Sequence, residues 1–153
     1  MIDQNIIDRA KKLNFLPIPG SELDNLKRKL SLSFSLEFLE LSKIASLEYF
    51  STFPINNLNQ ETNHSVIGET LQMRANANLP KDTLVLFEEY ESLMLMKCFG
   101  DHEEIYWMAA EDYYRYCDNE PLEYNPTIFP TFTDFFSYLL DEEEKRRVEE
   151  KAK

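Results

Sequence analysis

The sequence predicts an α+β domain, and three observations predict it. Before Pro80 the apolar residues recur at helical spacing. After Pro80 they fall into three short runs divided by turn-rich spacers. A phenylalanine-led amphipathic segment then closes the pattern. With 153 residues, 43% apolar and 13% aromatic, the chain is rich enough in core-forming residues to exclude disorder. No repeat, linker or low-complexity tract divides it, so residues 1–153 read as a single domain with a charged tail at 141–153.

The elements follow in order. Ile2, Ile6, Ile7, Ala10 and Leu13 mark a first helix, ended by Pro17-Ile18-Pro19-Gly20. Ser21-Glu22-Leu23-Asp24 reads as a capping box for a second helix striped by Leu23, Leu26 and Leu30. A third helix is expected over 36–49, and a short strand and loop over the asparagine-rich stretch 53–63. Helix returns over 65–76 and closes at Asn78-Leu79-Pro80, because the residue before proline disfavours the helical region. The runs 84–88, 93–97 and 105–108 predict an antiparallel meander, with spacers at 89–92 and 100–104. Thr131-Phe132-Thr133-Asp134 caps the last helix, whose apolar face is Phe132, Phe135, Phe136, Leu139 and Leu140. The tail after Leu140 is expected to be a solvated, fraying extension.

The net charge is −12, and its distribution is uneven. Residues 1–87 hold ten acids and nine bases, whereas residues 88–123 hold eleven acids against Lys97 and Arg115. That field repels nucleic-acid phosphates and anionic lipid and attracts basic partners, so no nucleic-acid or membrane partner is expected. The same stretch carries Tyr90, Tyr106, Trp107, Tyr113, Tyr114, Tyr116 and Tyr124. Trp107 on an apolar strand is expected in the core. Tyr113-Tyr114-Arg115-Tyr116 cannot bury every ring, so at least one tyrosine is expected exposed beside acid, the composition of a protein-binding rim.

Catalytic constellations are weak. No phosphate loop, nucleophile elbow or CxxC occurs, and paired acids such as Glu88/Glu89 and Glu111/Asp112 read as a solvated rim. His102 sits in Asp101-His102-Glu103-Glu104, but neighbours in a turn seldom converge on one ion, and His64 reads as a surface residue. Cys98 and Cys117 read as small apolar fillers. No catalytic residue, metal or cofactor is expected. The start carries acid where a secretory signal needs positive charge, and no apolar run reaches membrane-spanning length; the cytoplasm is the expected compartment.

The order of helices, meander and aromatic-led helix resembles the SUKH superfamily of bacterial immunity proteins and fungal cell-wall regulators. Three places carry the resemblance: Ile67-Gly68-Glu69-Thr70-Leu71-Gln72-Met73-Arg74 with Leu79-Pro80; the apolar runs with the glycine turn at Gly100 and the strand reaching Tyr106; and Thr131-Phe132-Thr133-Asp134-Phe135-Phe136. They span about residues 65–140. Ser21 to Leu30 resembles the family's opening helix, but the glycine–leucine–proline stretch and the asparagine–glycine turn that normally follow are absent. The resemblance implies a twisted, mostly antiparallel sheet packed by several helices, and a binding role without chemistry. The function expected is neutralisation of a bacterial toxin, in particular a basic nuclease, by direct binding; the alternative is a regulatory scaffold with no toxin partner. The residues expected to meet a basic partner are Glu89, Glu91, Asp101, Glu103, Glu104, Glu111, Asp112, Tyr113 and Tyr114, gathered by spacer loops into one field.

Overall fold

Most of the helices come first in the chain, and a long one returns at its end to pack on the sheet between them. The computed structural model describes residues 2–58 and 62–153. α1 (Gln4–Leu13) is capped by Asp3 and stops at Asn14 in the left-handed region. α2 (Gly20–Leu30) begins directly after Pro19, so Ser21 lies inside the first turn and the expected capping box does not form. Its end is a left-handed Ser31, with Leu32 N–H donating to the Lys27 carbonyl. α3 (Leu36–Ser42) is shorter than the 36–49 predicted. The chain turns out after Ser42 and re-forms one 3-10 turn, Leu47–Tyr49, which lets Leu47 and Phe50 face the core.

The strand expected near residue 55 is only an isolated bridge between Asn57 and Ser65; residues 59–61 of that stretch lie outside the described set. α4 (Val66–Ala77) lies close to the predicted 65–76; the structure adds that Ser65 is its cap and that Asn78, in the left-handed region, is its stop. Gly68 is required there: a Cβ would lie 1.8 Å from the Thr62 carbonyl oxygen, so the loop before α4 presses onto the helix backbone.

β1 (Thr83–Glu88), β2 (Ser92–Cys98) and β3 (Glu103–Ala109) form the predicted antiparallel meander, and β4 (Thr127–Phe129) adds a fourth strand in the order β1-β2-β3-β4. The fold class is therefore α+β with an antiparallel sheet, as read from the sequence. β4 and the short α5 (Tyr113–Cys117) were not foreseen; three residues between prolines and five residues of tyrosine-rich helix leave too little periodicity to read. β1 bulges at Leu86, so Leu86 and Phe87 both enter the main core.

Both sheet edges are protected. Val85 N–H donates to Thr70 Oγ1 at 2.9 Å and Asn56 N–H to the Leu86 carbonyl at 2.8 Å, which closes the β1 edge. β4 is three residues long and lies between Pro126 and Pro130, which cannot extend a ladder.

The alternation of β2 divides the interior. Met94, Met96 and Cys98 join the main core beneath the helices, with Ile105, Phe38 and the face of α6 (Phe132–Lys151). Leu93 and Leu95 join a second core with Val85, Met108, Met73 and Leu79, over which Tyr113, Tyr116, Cys117 and Leu122 fold. Five core positions of the closing helix are buried as predicted. The tail is not a free extension, however. Glu143 is buried and paired with Arg146, Arg9 bridges to Asp141 and Glu144, and Arg147 donates to the Leu13 carbonyl while lying over Phe15. No helix among the described residues is long and apolar enough to cross a membrane.

Candidate protein-binding site

The acidic stretch does not form one field. β2 pairs Ser92 with Ala109 at one end of the sheet and Cys98 with Glu103 at the other. Seven residues of strand separate the ends by about 20 Å. Glu89, Glu91 and Glu111 fall at the first end, and Asp101, Glu103 and Glu104 at the second.

Two predicted rim acids are buried, and neither can meet a partner. Glu103 opens β3 rather than sitting in a spacer, and it is 0% exposed. Its carboxylate accepts the Ser35 N–H at 2.7 Å and the Ser35 hydroxyl at 2.6 Å, and the same hydroxyl caps α3 by accepting from Phe38 N–H. Glu103 therefore fastens the sheet to a helix start. Burial pushes its carboxyl above the ordinary range, against the opposing pull of the two Ser35 hydrogen bonds. Asp112, also 0% exposed, accepts the backbone N–H groups of Glu123 at 2.9 Å and Tyr124 at 3.1 Å. It holds the segment after α5 against the sheet end. Arg115 lies between Asp112 and Glu123, at 3.8 and 3.9 Å.

Glu104 is half-buried on β3, opposite Lys97, and accepts from the Tyr106 hydroxyl. Asp101 is exposed at the far hairpin and contacts His102 Nδ1 at 2.7 Å, and that hydrogen bond holds its carboxyl below the usual range. The His102 ring stacks on Phe99 at 4.5 Å. Gly100, at φ 93°, makes this turn. No group of His, Cys, Asp and Glu that would hold a metal ion occurs among the described residues. Both thiols are held protonated by burial: Cys98 is pushed up, and Cys117 is pushed up to about 11.

Of the two predicted tyrosines, Tyr113 is half-buried over the second core and Tyr114 is 66% exposed, their rings edge to face at 4.9 Å. Tyr114 meets the expectation of an exposed ring in this stretch. Neither lines the hollows at the first sheet end.

Those hollows are built around Tyr90, which was not among the predicted contacts. Glu89 N–H donates to the Ser92 carbonyl at 2.8 Å, closing a tight turn between β1 and β2 with Tyr90 at its tip, 97% exposed. On one side lies an open hollow of about 560 Å³ lined by Tyr90, Glu91, Ala109, Ala110, Glu111 and Tyr124. On the other lies a hollow of about 740 Å³ lined by Glu89, Tyr90, Glu91, Ser92 and Trp107. No lysine or arginine lines either. Trp107 is 36% exposed rather than core: one side of its indole meets Phe53 edge to face at 5.0 Å, and the rest faces the hollow. The Tyr124 phenol hydrogen-bonds Glu111, and the charges of Glu111 and Glu123 push its pKa up.

Each side of Tyr90 thus combines an exposed ring with carboxylates on a hydrogen-bonded frame, a surface suited to a cationic, partly apolar partner. A signal for it was present in the sequence: a lone tyrosine in a spacer of glutamates too short to bury it. No family model, curated protein or solved structure matches this chain.

Proposed function

We propose that this protein binds a basic protein partner through the Tyr90 end of its sheet, and that the partner is a bacterial toxin domain which it neutralises. The observation that carries the proposal is the exposure of Tyr90 at 97% between two hollows whose walls hold Trp107, Tyr124, Glu89, Glu91 and Glu111 and no base. A tyrosine has only two side-chain torsions to fix when it docks, so it supplies contact area at low entropic cost. The surrounding carboxylates steer a cationic surface toward it. A nuclease is the partner class that best fits such a face, because its phosphate-binding surface must be basic. The resemblance to the SUKH immunity proteins points in the same direction.

The test is rescue of growth. A basic nuclease toxin domain encoded by a neighbouring gene is the partner to test, expressed alone, with this protein, and with its variants. Wild type should restore growth; Tyr90→Ala combined with Glu91→Lys should not. Glu104→Lys with Asp101→Lys, at the far end, should still rescue. Equal rescue by both variants would remove the Tyr90 end from the function.

A further inference from the structure

We infer that the Tyr90 turn is a twin socket for two arginine side chains of an extended partner segment, one on each side of the tyrosine. This inference rests on the basic-partner proposal and specifies the residues that the partner must supply. Three observations lead to it.

The two hollows are separate, yet both are lined by Tyr90 and Glu91, so an occupant of one is a neighbour of an occupant of the other. Each also has its own ring and its own carboxylate: Tyr124 with Glu111 in the first, Trp107 with Glu89 in the second. The chemistry of the two sides is therefore matched. Finally, both hollows are open to solvent and hold a ring beside a carboxylate, and a planar guanidinium can both stack on a ring and donate two parallel hydrogen bonds to a carboxylate. A lysine ammonium can make only the point contact.

Spacing narrows the partner further. Cations that flank one ring must each lie within about 6 Å of its centroid. Two arginines at positions i and i+2 of an extended strand project from the same face about 6.6 Å apart, which allows them to straddle Tyr90. Adjacent residues of a strand point to opposite faces and do not fit. An Arg-X-Arg segment in extended conformation is the occupant that meets these conditions.

Trp107 is the only tryptophan in the chain and lines the second hollow, so its emission reports occupancy there directly. The probe is acetyl-Arg-Gly-Arg-amide, compared with acetyl-Lys-Gly-Lys-amide and acetyl-Arg-Arg-Gly-amide, each titrated to millimolar concentration at low salt. We expect the Arg-Gly-Arg peptide to bind about fivefold more tightly than its lysine counterpart, and more tightly than the adjacent-arginine peptide. Tyr90→Phe should keep the preference, and Tyr90→Leu should abolish it. Because Tyr90 touches almost nothing but solvent, an unchanged far-UV spectrum would accompany either variant. Equal responses to the arginine and lysine peptides, or no response to any of the three, overturn the socket. A preference that survives Tyr90→Leu also overturns it. None of these outcomes touches the growth-rescue experiment, which reads the broader proposal separately.

Discussion

Replacing Glu103 separates a structural acid from a surface one, and its consequences can be worked from four atoms. Glu103→Ala removes the acceptor of the Ser35 N–H and of the Ser35 hydroxyl, both buried. A buried donor left without a partner costs about 1–3 kcal/mol. The Ser35 hydroxyl still caps α3, but it is no longer held in place, which weakens a contact worth about 1 kcal/mol. The lost carboxylate had itself been expensive to desolvate, which offsets part of the damage. The net expectation is a loss of about 2–4 kcal/mol. Glu103→Gln is the informative companion: its amide oxygen can accept the Ser35 N–H while its NH2 donates to the Ser35 hydroxyl. The Ser35 hydroxyl proton then lacks its acceptor, so this variant should lose about 1–2 kcal/mol, less than alanine.

The pH dependence distinguishes the two forms. A carboxyl whose folded pKa is raised binds its proton more tightly in the folded state than in the unfolded one. Stability contributed by Glu103 therefore rises as pH falls from its folded pKa toward the ordinary carboxyl value of 4.5, and is constant below that. Urea denaturation of wild type and Glu103→Gln across that interval isolates the effect, because every other carboxylate cancels in the difference. Wild type should gain on the variant as pH falls. A flat difference, or Glu103→Ala losing under about 0.5 kcal/mol, would show that Glu103 does not fasten β3 to α3.

Three further outcomes follow from the packing. Phe136 is fully buried against Phe50 and Phe132, so Phe136→Ala should cost about 3–5 kcal/mol by denaturation. Deleting residues 144–153 removes the Arg9–Glu144 and Arg146–Glu143 bridges and the Arg147 contact with Leu13, and calorimetry should show a loss of about 1–2 kcal/mol; no change would return the tail to the role of solvated extension. Cys98 and Cys117 should react with a thiol reagent far more slowly in the folded protein than after unfolding at pH 8, since burial holds both thiols protonated; fast labelling of Cys98 would contradict its place in the core.

How much was legible in the sequence differs between the fold and the site. Helical spacing, the Thr131 cap and the three apolar runs marked most of the scaffold, because each is a local pattern with one dominant cause. Even leucine- and methionine-rich β2, whose residues favour helix, formed a strand, because it is buried on both faces between β1 and β3. Ser21 and Ser35 show the limit. Both precede helical stripes, yet only Ser35 caps, since Pro19 starts α2 before Ser21 is reached. The site was read less well. Counting acids along the chain treated Glu103 and Asp112 as equivalent to Glu89 and Glu111, although two of the four are buried acceptors for backbone N–H groups. Which acids are consumed internally is decided by partners 68 residues away for Glu103 and 11 or 12 for Asp112, and no local pattern encodes such pairings. The division of the remaining acids between two ends of the sheet follows from meander geometry, which places alternate turns at opposite ends.

The central claim is that a basic partner docks at the Tyr90 end rather than on acid in general, and association kinetics test it most directly. The measurement is the association rate, at low and high salt, of a basic protein that co-purifies with this chain, taken with three proteins. These are wild type, Glu89→Lys/Glu91→Lys/Glu111→Lys at the Tyr90 end, and Asp101→Lys/Glu104→Lys at the far end. The account predicts that the first variant slows association at low salt by at least about tenfold and flattens its salt dependence, while the second leaves both near wild type. Equal slowing by the two variants, or an association rate indifferent to salt and to both, would contradict it.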